Sequence, residues 1–410
     1  MILKTFSLAK FSLSLLLLSL PFNFILTDGV GSVYLSTILI FLNFIIVLFL
    51  SKGQLILKKE AFFAICVFIY FLLFTIFNVL VSKGFLLKEQ LVFSVIHLQL
   101  ILVFLLGNYY SNYISKEVLF KILYYAILLF SLRIFIDDWD KVFNLSSVRG
   151  FRVEAIFAGG VNNFGLIVGL GFIISFFHLK KGIVKVISCL YFIIVIILTM
   201  SRGALFGLVI TLFLVALYDP KGKILSSLLK TSFFLTVIGF IVLLYSNAAQ
   251  DIALQFSERF LSIFSGETTI EQASSGRGLI VRDMYNNHIK NSSILEILFG
   301  HGMGSINFMV NGSPYESSHN FIVDVFYRNG ILILLGYLTL VIYLCYMFFK
   351  NRKGTDLTLF GFFVFLHFEI LVNPYVYAAQ TGWIYGLFLA VFLNQNRLGH
   401  YKREKSFLND

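Results

Sequence analysis

The residues with the clearest chemical potential lie in the stretch ESSHNFIVDVFYRNGILILLG, residues 316–336. His319 can take a proton from a hydroxyl near neutral pH, because an unperturbed imidazole has a pKa of about 6.5. Asp324 and Arg328 follow it four residues apart, a spacing that favours an ion pair on a helix. All three precede a long apolar run. Ionisable groups beside such a run predict a functional site at the edge of a membrane.

Arginines form the second group of residues with a chemical use. The guanidinium is a planar fork of N–H donors that matches phosphate oxygens, and it stays charged at physiological pH. Two explanations stay open for arginines beside apolar runs: anchoring at the interface, and binding of an anionic substrate. The arginines that the topology below assigns to the outer face are Arg133, Arg149, Arg152, Arg202, Arg259, Arg277, Arg282 and Arg328.

The composition decides the class of protein that must position these residues. Of the 410 residues, 59% are hydrophobic and only 13% are charged. That balance excludes a soluble domain and predicts an all-α, polytopic helical membrane protein. Cys66, Cys189 and Cys345 all lie inside apolar stretches, so we expect no disulfide framework, metal site or cofactor.

Apolar runs long enough to cross a hydrocarbon core recur along the chain. Each has the length that a core of about 30 Å requires, and together they predict about twelve membrane spans. We expect a break at Asn329–Gly330, which separates a short interfacial helix over 319–328 from the tenth span. The runs are 11–26, 32–50, 61–81, 91–107, 118–136, 160–178, 182–200, 203–218, 231–246, 331–349, 357–373 and 380–395.

The connectors between the runs predict the orientation of the chain. Lysine-rich connectors such as SKGQLILKKE and KNRKGTD alternate along the chain on one side, which the positive-inside rule makes the cytoplasm. Both termini then lie in the cytoplasm, and this topology explains the net charge of +11 without nucleic acid. The chain divides into spans over 1–246, a large outer loop over 247–318, and a closing segment over 319–410.

The large outer loop contains two further patterns. Ser274 or Ser275 is placed to cap a helix that carries Arg277 and Arg282. These arginines are separated by about 140° around a helix, so one helix face does not present both. Further along, glycines alternate at 300, 302 and 304. Such a run either lets backbone N–H groups approach an anion or makes a plain tight turn.

An acidic pair offers a rival chemistry. Asp138 and Asp140 form an Asp-x-Asp pattern, whose two carboxylates can hold a divalent metal ion. Acidic clusters are also common in solvated loops. A bound metal ion therefore stays an alternative to arginines as the group that binds an anionic substrate.

Four motifs occur in order around the large loop. They are SRGALFGLVI at 201–210, SSGRGLIVRD at 274–283, LFGHGMGS at 298–305 and SSHNFIVDVFYRNGILILLG at 317–336. Together they resemble the O-antigen polymerase and O-antigen ligase superfamily, over about Arg149 to Leu344. Two departures stand out: the proline common before the glycine turn is absent, and His301 stands where the family usually has an aliphatic residue. The resemblance thus implies no catalytic role for His301.

The resemblance implies a set of site residues. It implies His319, Arg277 and Arg282 as catalytic residues. The implied substrate-binding residues are Arg202, Arg149, Arg152, Asn320, Gly302 and Gly304. Arg149 also stands eleven positions before Gly160, an Arg-x10-Gly spacing described for polymerases.

A mechanism follows from the implied substrate, a glycan on polyprenyl pyrophosphate. His319 would deprotonate the acceptor hydroxyl, and Arg202, Arg277 and Arg282 would stabilise the pyrophosphate leaving group in place of a metal ion. Attack opposite the leaving group would invert the anomeric centre. The expected enzyme is a metal-independent inverting glycosyltransferase.

The resemblance leaves two activities open, and we favour the first. A polymerase transfers the growing glycan to another lipid-linked repeat unit, whereas a ligase transfers it to lipid A-core. A polysaccharide flippase is less favoured, because it should have short loops and charged residues deep in its spans. The expected location is the bacterial cytoplasmic membrane, and the expected partners are the lipid-linked oligosaccharide, membrane lipids and a chain-length regulator protein.

Overall fold

The computed structural model describes most of the apolar part of the chain. It describes 2–20, 34–53, 59–81, 86–138, 160–180, 182–199, 201–219, 277–287, 289–302, 308–310, 313–315, 318–352, 356–372, 382–394 and the single positions 55, 57, 155, 158, 222, 224, 226 and 254.

Within these residues every regular element except one small hairpin is helical. The helices before the large loop are α1 (Ile2–Leu18), α2 (Leu35–Leu50), α3 (Lys59–Val81), α4 (Leu86–Tyr113), α5 (Lys116–Leu132), α6 (Ile134–Asp137), α7 (Val161–Phe177), α8 (Ile183–Thr199) and α9 (Arg202–Tyr218). Those that follow are α10 (Arg277–Asn287), a 3₁₀ turn (Ile289–Asn291), α11 (Ile294–Phe299), α12 (Phe321–Lys350), α13 (Leu357–Val372) and α14 (Trp383–Leu393).

The prediction of a helical fold with apolar, membrane-length helices is confirmed, whereas the number of twelve spans stays a prediction. Three segments of the described chain are long and apolar enough to cross a membrane: Ser94–Tyr113, Lys116–Asp137 and Phe321–Lys350. Shorter apolar helices coincide with the other predicted runs, except the run at 231–246, which lies outside the described residues. The large loop contains short helices, as expected.

The hairpin is a departure from a purely helical fold. Strand β1 (Phe308–Val310) pairs antiparallel with β2 (Ser313–Tyr315), and Val310 stands opposite Ser313. The two residues between the strands are Asn311 and Gly312, a pair favoured in two-residue hairpin connections. The Asn-Gly pair thus predicts a hairpin locally, although most of the chain around it is helical.

The chain forms two compact units. The first contains Met1–Phe130, Tyr285–Lys350 and Ile370–Asp410, and the second contains Ser131–Met284 and Asn351–Glu369. These units do not follow the linear division into 1–246, 247–318 and 319–410. That division concerns position relative to a membrane and stays a prediction.

Helix α4 is central to the first unit, where it packs against α1, α2, α3 and α14. Two glycines allow α4 and α14 to approach closely. A Cβ at Gly107 would lie 2.8 Å from the Leu387 carbonyl oxygen, and one at Gly386 would lie 2.8 Å from that of Leu100. Small residues at crossing points are typical of helix packing in membranes, because they let the two helix backbones approach closely.

Buried polar side chains join the helices of the first unit. Ser12 of α1 hydrogen-bonds to Asn43 of α2 and to Tyr110 of α4. Asn394, at the end of α14, donates to Asn108 of α4 over 3.0 Å. Such bonds give buried polar groups partners where water is absent.

The second unit is built on the pair α7 and α8, with α9 packed against both. Gly165 of α7 faces α9, where a Cβ would lie 3.0 Å from that of Ala204. Helix α7 is buried along nearly its whole length, from Val161 to Phe176. Its residues therefore serve packing.

Candidate functional site

The start of α12 is built by the polar residues of the closing motif. Asn320 caps the helix, since its side-chain oxygen accepts the N–H of Val323 over 3.2 Å. The Ser318 hydroxyl donates to the Asn320 carbonyl and accepts the Asn320 N–H. The fully buried Asp324 carboxylate accepts the N–H of Ser318 over 2.8 Å. This corner gives Asn320 a structural task independent of any substrate.

His319 lies inside this corner in an unusual conformation. Its φ of 53° falls in the left-handed region, which few residues other than glycine, asparagine, aspartate and histidine adopt. The bonds between its neighbours Ser318 and Asn320 hold the backbone in that conformation. The Nδ1 atom of His319 is buried. The backbone of His319 is thus fixed at the start of the helix, and its predicted role as a base stays a prediction.

The predicted break in the helix that follows is present. Gly330 has φ 79° and ψ 176° inside α12, a conformation essentially restricted to glycine. Arg328 and Asn329 before the break are both buried. Asp324 is buried as well, and its pairing with Arg328 stays a prediction.

The break lets α11 dock against the carbonyl groups that the helix leaves unbonded. The Tyr327 carbonyl accepts the N–H of His301 over 2.8 Å, and the Arg328 carbonyl accepts that of Gly302 over 3.0 Å. A second positive-φ glycine, Gly300 at φ 81°, makes this approach possible. A Cβ on Gly300 would overlap the Arg328 carbonyl.

This docking gives the alternating glycines a structural role. The N–H of Gly302 is occupied by Arg328, so an anion would need other donors. Gly302 is buried, which fits close backbone packing. Gly304 lies outside the described residues. Substrate binding by Gly302 and Gly304 stays a prediction.

In the second unit, Arg202 is the first residue of α9. Ser201 precedes it as the helix cap, and its hydroxyl oxygen accepts the N–H of Ala204. The Ser201 hydroxyl also donates to the Asn162 side chain of α7 over 3.1 Å. Ser201 is buried whereas Arg202 is half-buried. The Ser201 cap therefore sets where α9 begins, and it keeps Arg202 at the N-terminal end of that helix.

Helix α10 carries Arg277 and Arg282, as the loop motif predicts, and the proposed caps Ser274 and Ser275 lie outside the described residues. Ile280 and Met284 form its buried face, and Arg282 is exposed. The exposed position agrees with the expected angular separation of Arg282 from the face that carries Met284. The side chain of Arg277 lies outside the described residues.

The predicted site residues are divided between the two units. Gly302, His319 and Asn320 belong to the first unit, and within it α11 packs on α12, so these residues lie on adjoining segments. Arg202, Arg277 and Arg282 belong to the second. Arg149 and Arg152 lie outside the described residues.

Two acidic residues in or next to the Asp-x-Asp pattern have structural partners. Asp138 accepts the N–H of Ala155 over 3.2 Å, and Asp137 pairs with Arg133 at 2.8 Å. Among the residues that the structure describes, no cluster of three histidine, cysteine or acidic side chains could hold a metal ion. Asp140 lies outside them.

One buried acid was missed from the sequence. Glu369 stands near the end of α13 and is 1% exposed. Its Oε1 lies 2.7 Å from where a Cβ at Gly207 would be, so it approaches the helix that carries Arg202. The available signal was an acid inside the apolar run LFGFFVFLHFEILV. Glu369 shows that the spans are not free of charged groups, which weakens one argument against a flippase.

The long and the shorter apolar helices of the described chain are those of a helical membrane protein. Comparison with known protein families finds no family that matches the chain, and no curated protein matches it either.

Proposed function

We propose that this protein is a polysaccharide polymerase of the O-antigen or capsule type. It transfers a growing glycan from polyprenyl pyrophosphate to another lipid-linked repeat unit. The proposal rests on the four motifs in order around one long loop, which resemble the O-antigen polymerase and ligase superfamily.

One structural observation supports the proposal more than any other. Arg202 is the first residue of a helix whose cap is Ser201, and His319 stands two residues before another helix. Polar groups at helix starts meet a lipid headgroup at the membrane edge, where a pyrophosphate carried on an isoprenoid must lie. The N-terminal end of a helix also favours an anion, because its first N–H groups and its dipole are positive there.

The reaction requires a base for the acceptor hydroxyl and positive charge for the leaving group. An acceptor hydroxyl loses its proton to His319 as it attacks the anomeric carbon. The bond from that carbon to the pyrophosphate oxygen breaks with inversion, and arginines receive the released charge. Arg202, Arg277 and Arg282 are the proposed group, with Arg149 and Arg152 as further substrate-binding residues.

The proposed setting follows from the topology expected of the sequence. The chain has twelve spans in a bacterial cytoplasmic membrane, both termini in the cytoplasm and 247–318 outside. Its substrate is lipid-linked oligosaccharide, and a chain-length regulator is the expected protein partner.

Reconstitution tests the enzyme class. Purified protein in lipid vesicles, given lipid-linked repeat units, should produce longer lipid-linked glycans in excess EDTA. Loss of activity in EDTA and its return with Mg²⁺ or Mn²⁺ would instead favour the mechanism based on Asp138 and Asp140. Absence of any elongation in either condition would contradict the polymerase.

Deletion of the gene distinguishes the two transferases. Without a polymerase, single repeat units should still reach their normal acceptor on gels of surface polysaccharide. Long chains that persist on the polyprenyl carrier and fail to reach lipid A-core would identify the ligase.

A further inference from the structure

Three residues around α11 form a chain of contacts that the proposed glycosyl transfer does not use. The Ser292 hydroxyl lies 2.8 Å from Nε2 of His301. On the other side of the ring, Nδ1 of His301 lies 3.5 Å from Oε1 of Glu296. A hydroxyl, an imidazole and a carboxylate in this order are the parts of an activated nucleophile.

The imidazole is held from several sides. Its ring stacks on Tyr327 of α12, with centroids 4.4 Å apart and planes 19° apart. Its backbone N–H is bound to the Tyr327 carbonyl, and the glycines at 300 and 330 allow that approach. A base whose ring is fixed by stacking and backbone bonds keeps both nitrogens aimed at their partners.

The carboxylate is held as well. Ser293 caps α11, and both its N–H and its hydroxyl donate to Oε2 of Glu296, over 2.7 and 2.8 Å. These bonds, with a smaller contribution from His301, lower the pKa of Glu296 below its ordinary value. Oε2 is thus occupied by Ser293, while Oε1 faces the imidazole as an ionised acceptor.

The three groups are also reachable. The His301 side chain is 17% exposed and that of Glu296 is 45% exposed. Ile294 and Leu295, directly after the capping serine, are 77% and 67% exposed. A reacting group that approached Ser292 would find apolar surface beside it.

We propose that Ser292, His301 and Glu296 form a second catalytic site, in which Ser292 is the nucleophile toward carboxylic esters with an apolar acyl group. His301 is the base, and Glu296 is a positioning residue. The activity is separate from glycosyl transfer. It uses the histidine at which this chain departs from the superfamily it resembles.

The step balances with water as the second reactant. The Ser292 oxygen bonds to the acyl carbon while its proton passes to Nε2 of His301. The carbon–oxygen bond to the alcohol then breaks, and the alcohol leaves with that proton. Water, deprotonated by His301, releases the acid and restores Ser292.

A fluorophosphonate probe tests the nucleophile on the full-length protein in detergent. The probe carries its own leaving group, so labelling requires an activated hydroxyl and no knowledge of the natural ester. Labelling should fall on Ser292 and disappear in Ser292→Ala. His301→Phe keeps an aromatic ring against Tyr327 but lacks the base, and its labelling rate should fall at least about 100-fold. His178→Phe is the control and should label at the wild-type rate.

Glu296→Gln separates positioning from simple structure. Glutamine retains an oxygen that can accept from Ser293 but removes the charge that favours a protonated imidazole. The groups facing His301 are Glu296 from α11 and the Tyr327 ring from α12, with buried Arg328 next to it in the chain. The rate of p-nitrophenyl butyrate hydrolysis should rise with pH at a lower midpoint in Glu296→Gln than in wild type.

Two results would overturn the proposal. One is wild-type protein that neither labels nor hydrolyses the ester. The other is labelling that survives in Ser292→Ala or His301→Phe, since the nucleophile would then lie elsewhere. Both readouts are independent of glycan elongation, so failure of the polymerase proposal would not affect them.

Discussion

At the residue scale, the proposed glycosyl transfer depends on what each arginine binds. Arg282 is exposed on α10, opposite the buried side chains of that helix, and Arg277 lies on the same helix. An exposed arginine side chain such as that of Arg282 adds little to folding stability. Their replacement should therefore change activity more than folding.

We predict that Arg277→Ala and Arg282→Ala each abolish long-chain product and leave membrane insertion and the melting temperature unchanged. Removal of a charged group that meets the leaving group costs at least about 100-fold in rate. Elongation of lipid-linked repeat units in vesicles is the measurement. Full activity in both variants would remove the arginines from the mechanism.

Two further variants make this test specific. Lysine at 277 or 282 retains charge but not the bidentate fork, so it should restore activity only in part. Arg133→Ala is the matched control, because Arg133 is already paired with Asp137 and should leave elongation unchanged.

At the element scale, the joint between α11 and α12 depends on Gly300 and Gly330. Both have positive φ, and a Cβ on either would overlap the backbone of the opposite segment. Gly300→Ala or Gly330→Ala should therefore lower the free energy of unfolding by more than about 3 kcal/mol, from backbone strain and overlap together. Thermal unfolding in detergent measures the loss.

Gly53→Ala is the control for a glycine of positive φ without backbone overlap. Gly53 has φ 74°, close to that of the two joint glycines, but a Cβ added there would have no atom within 4 Å of it. Its replacement should cost about 1–2 kcal/mol, from conformation alone. An equal loss at 53, 300 and 330 would mean that the backbone overlap contributes nothing.

The cap of α11 should depend on pH. Because the pKa of Glu296 is lowered in the fold, its carboxylate favours the folded segment above its ordinary pKa. That contribution is lost as the pH falls through the lowered value. Hydrogen exchange at the Ser293 amide, corrected for intrinsic rates, should show protection that disappears in acid.

Glu296→Gln provides the comparison for this pH effect. Glutamine has no carboxyl proton to gain, so the protection of the Ser293 amide should be independent of pH in that variant. Protection that disappears equally in both proteins would assign the acid effect to another group.

At the scale of the whole molecule, the proposals require 247–318 to lie outside the membrane-enclosed compartment. Ser274→Cys, in a background with Cys66, Cys189 and Cys345 replaced, should react with an impermeant maleimide in intact spheroplasts. Lys180→Cys, in a lysine-rich connector, should react only after permeabilisation. The reverse pattern would invert the topology and contradict the proposed function.

The sequence alone determined the fold class, most helix positions and several helix ends. Length and apolarity of a run decide these features, because each helix satisfies its own backbone bonds in lipid. The break at Gly330 and the start of α9 at Arg202 follow from local signals of the same kind. The small hairpin carried a local signal too, in Asn311–Gly312.

Tertiary structure decided which helix faces meet, since apolar residues face both lipid and protein in such a chain. Helix α7 is buried on nearly every side, whereas α8 exposes Ile183, Val184 and Ile187, yet both sequences are apolar all round. The contact of Glu369 with Gly207 and that of Gly300 with Arg328 likewise join residues far apart in the chain. His301 gained its partners in this way: packing of α11 on α12 placed its ring on Tyr327, and that orientation is not encoded in hydropathy.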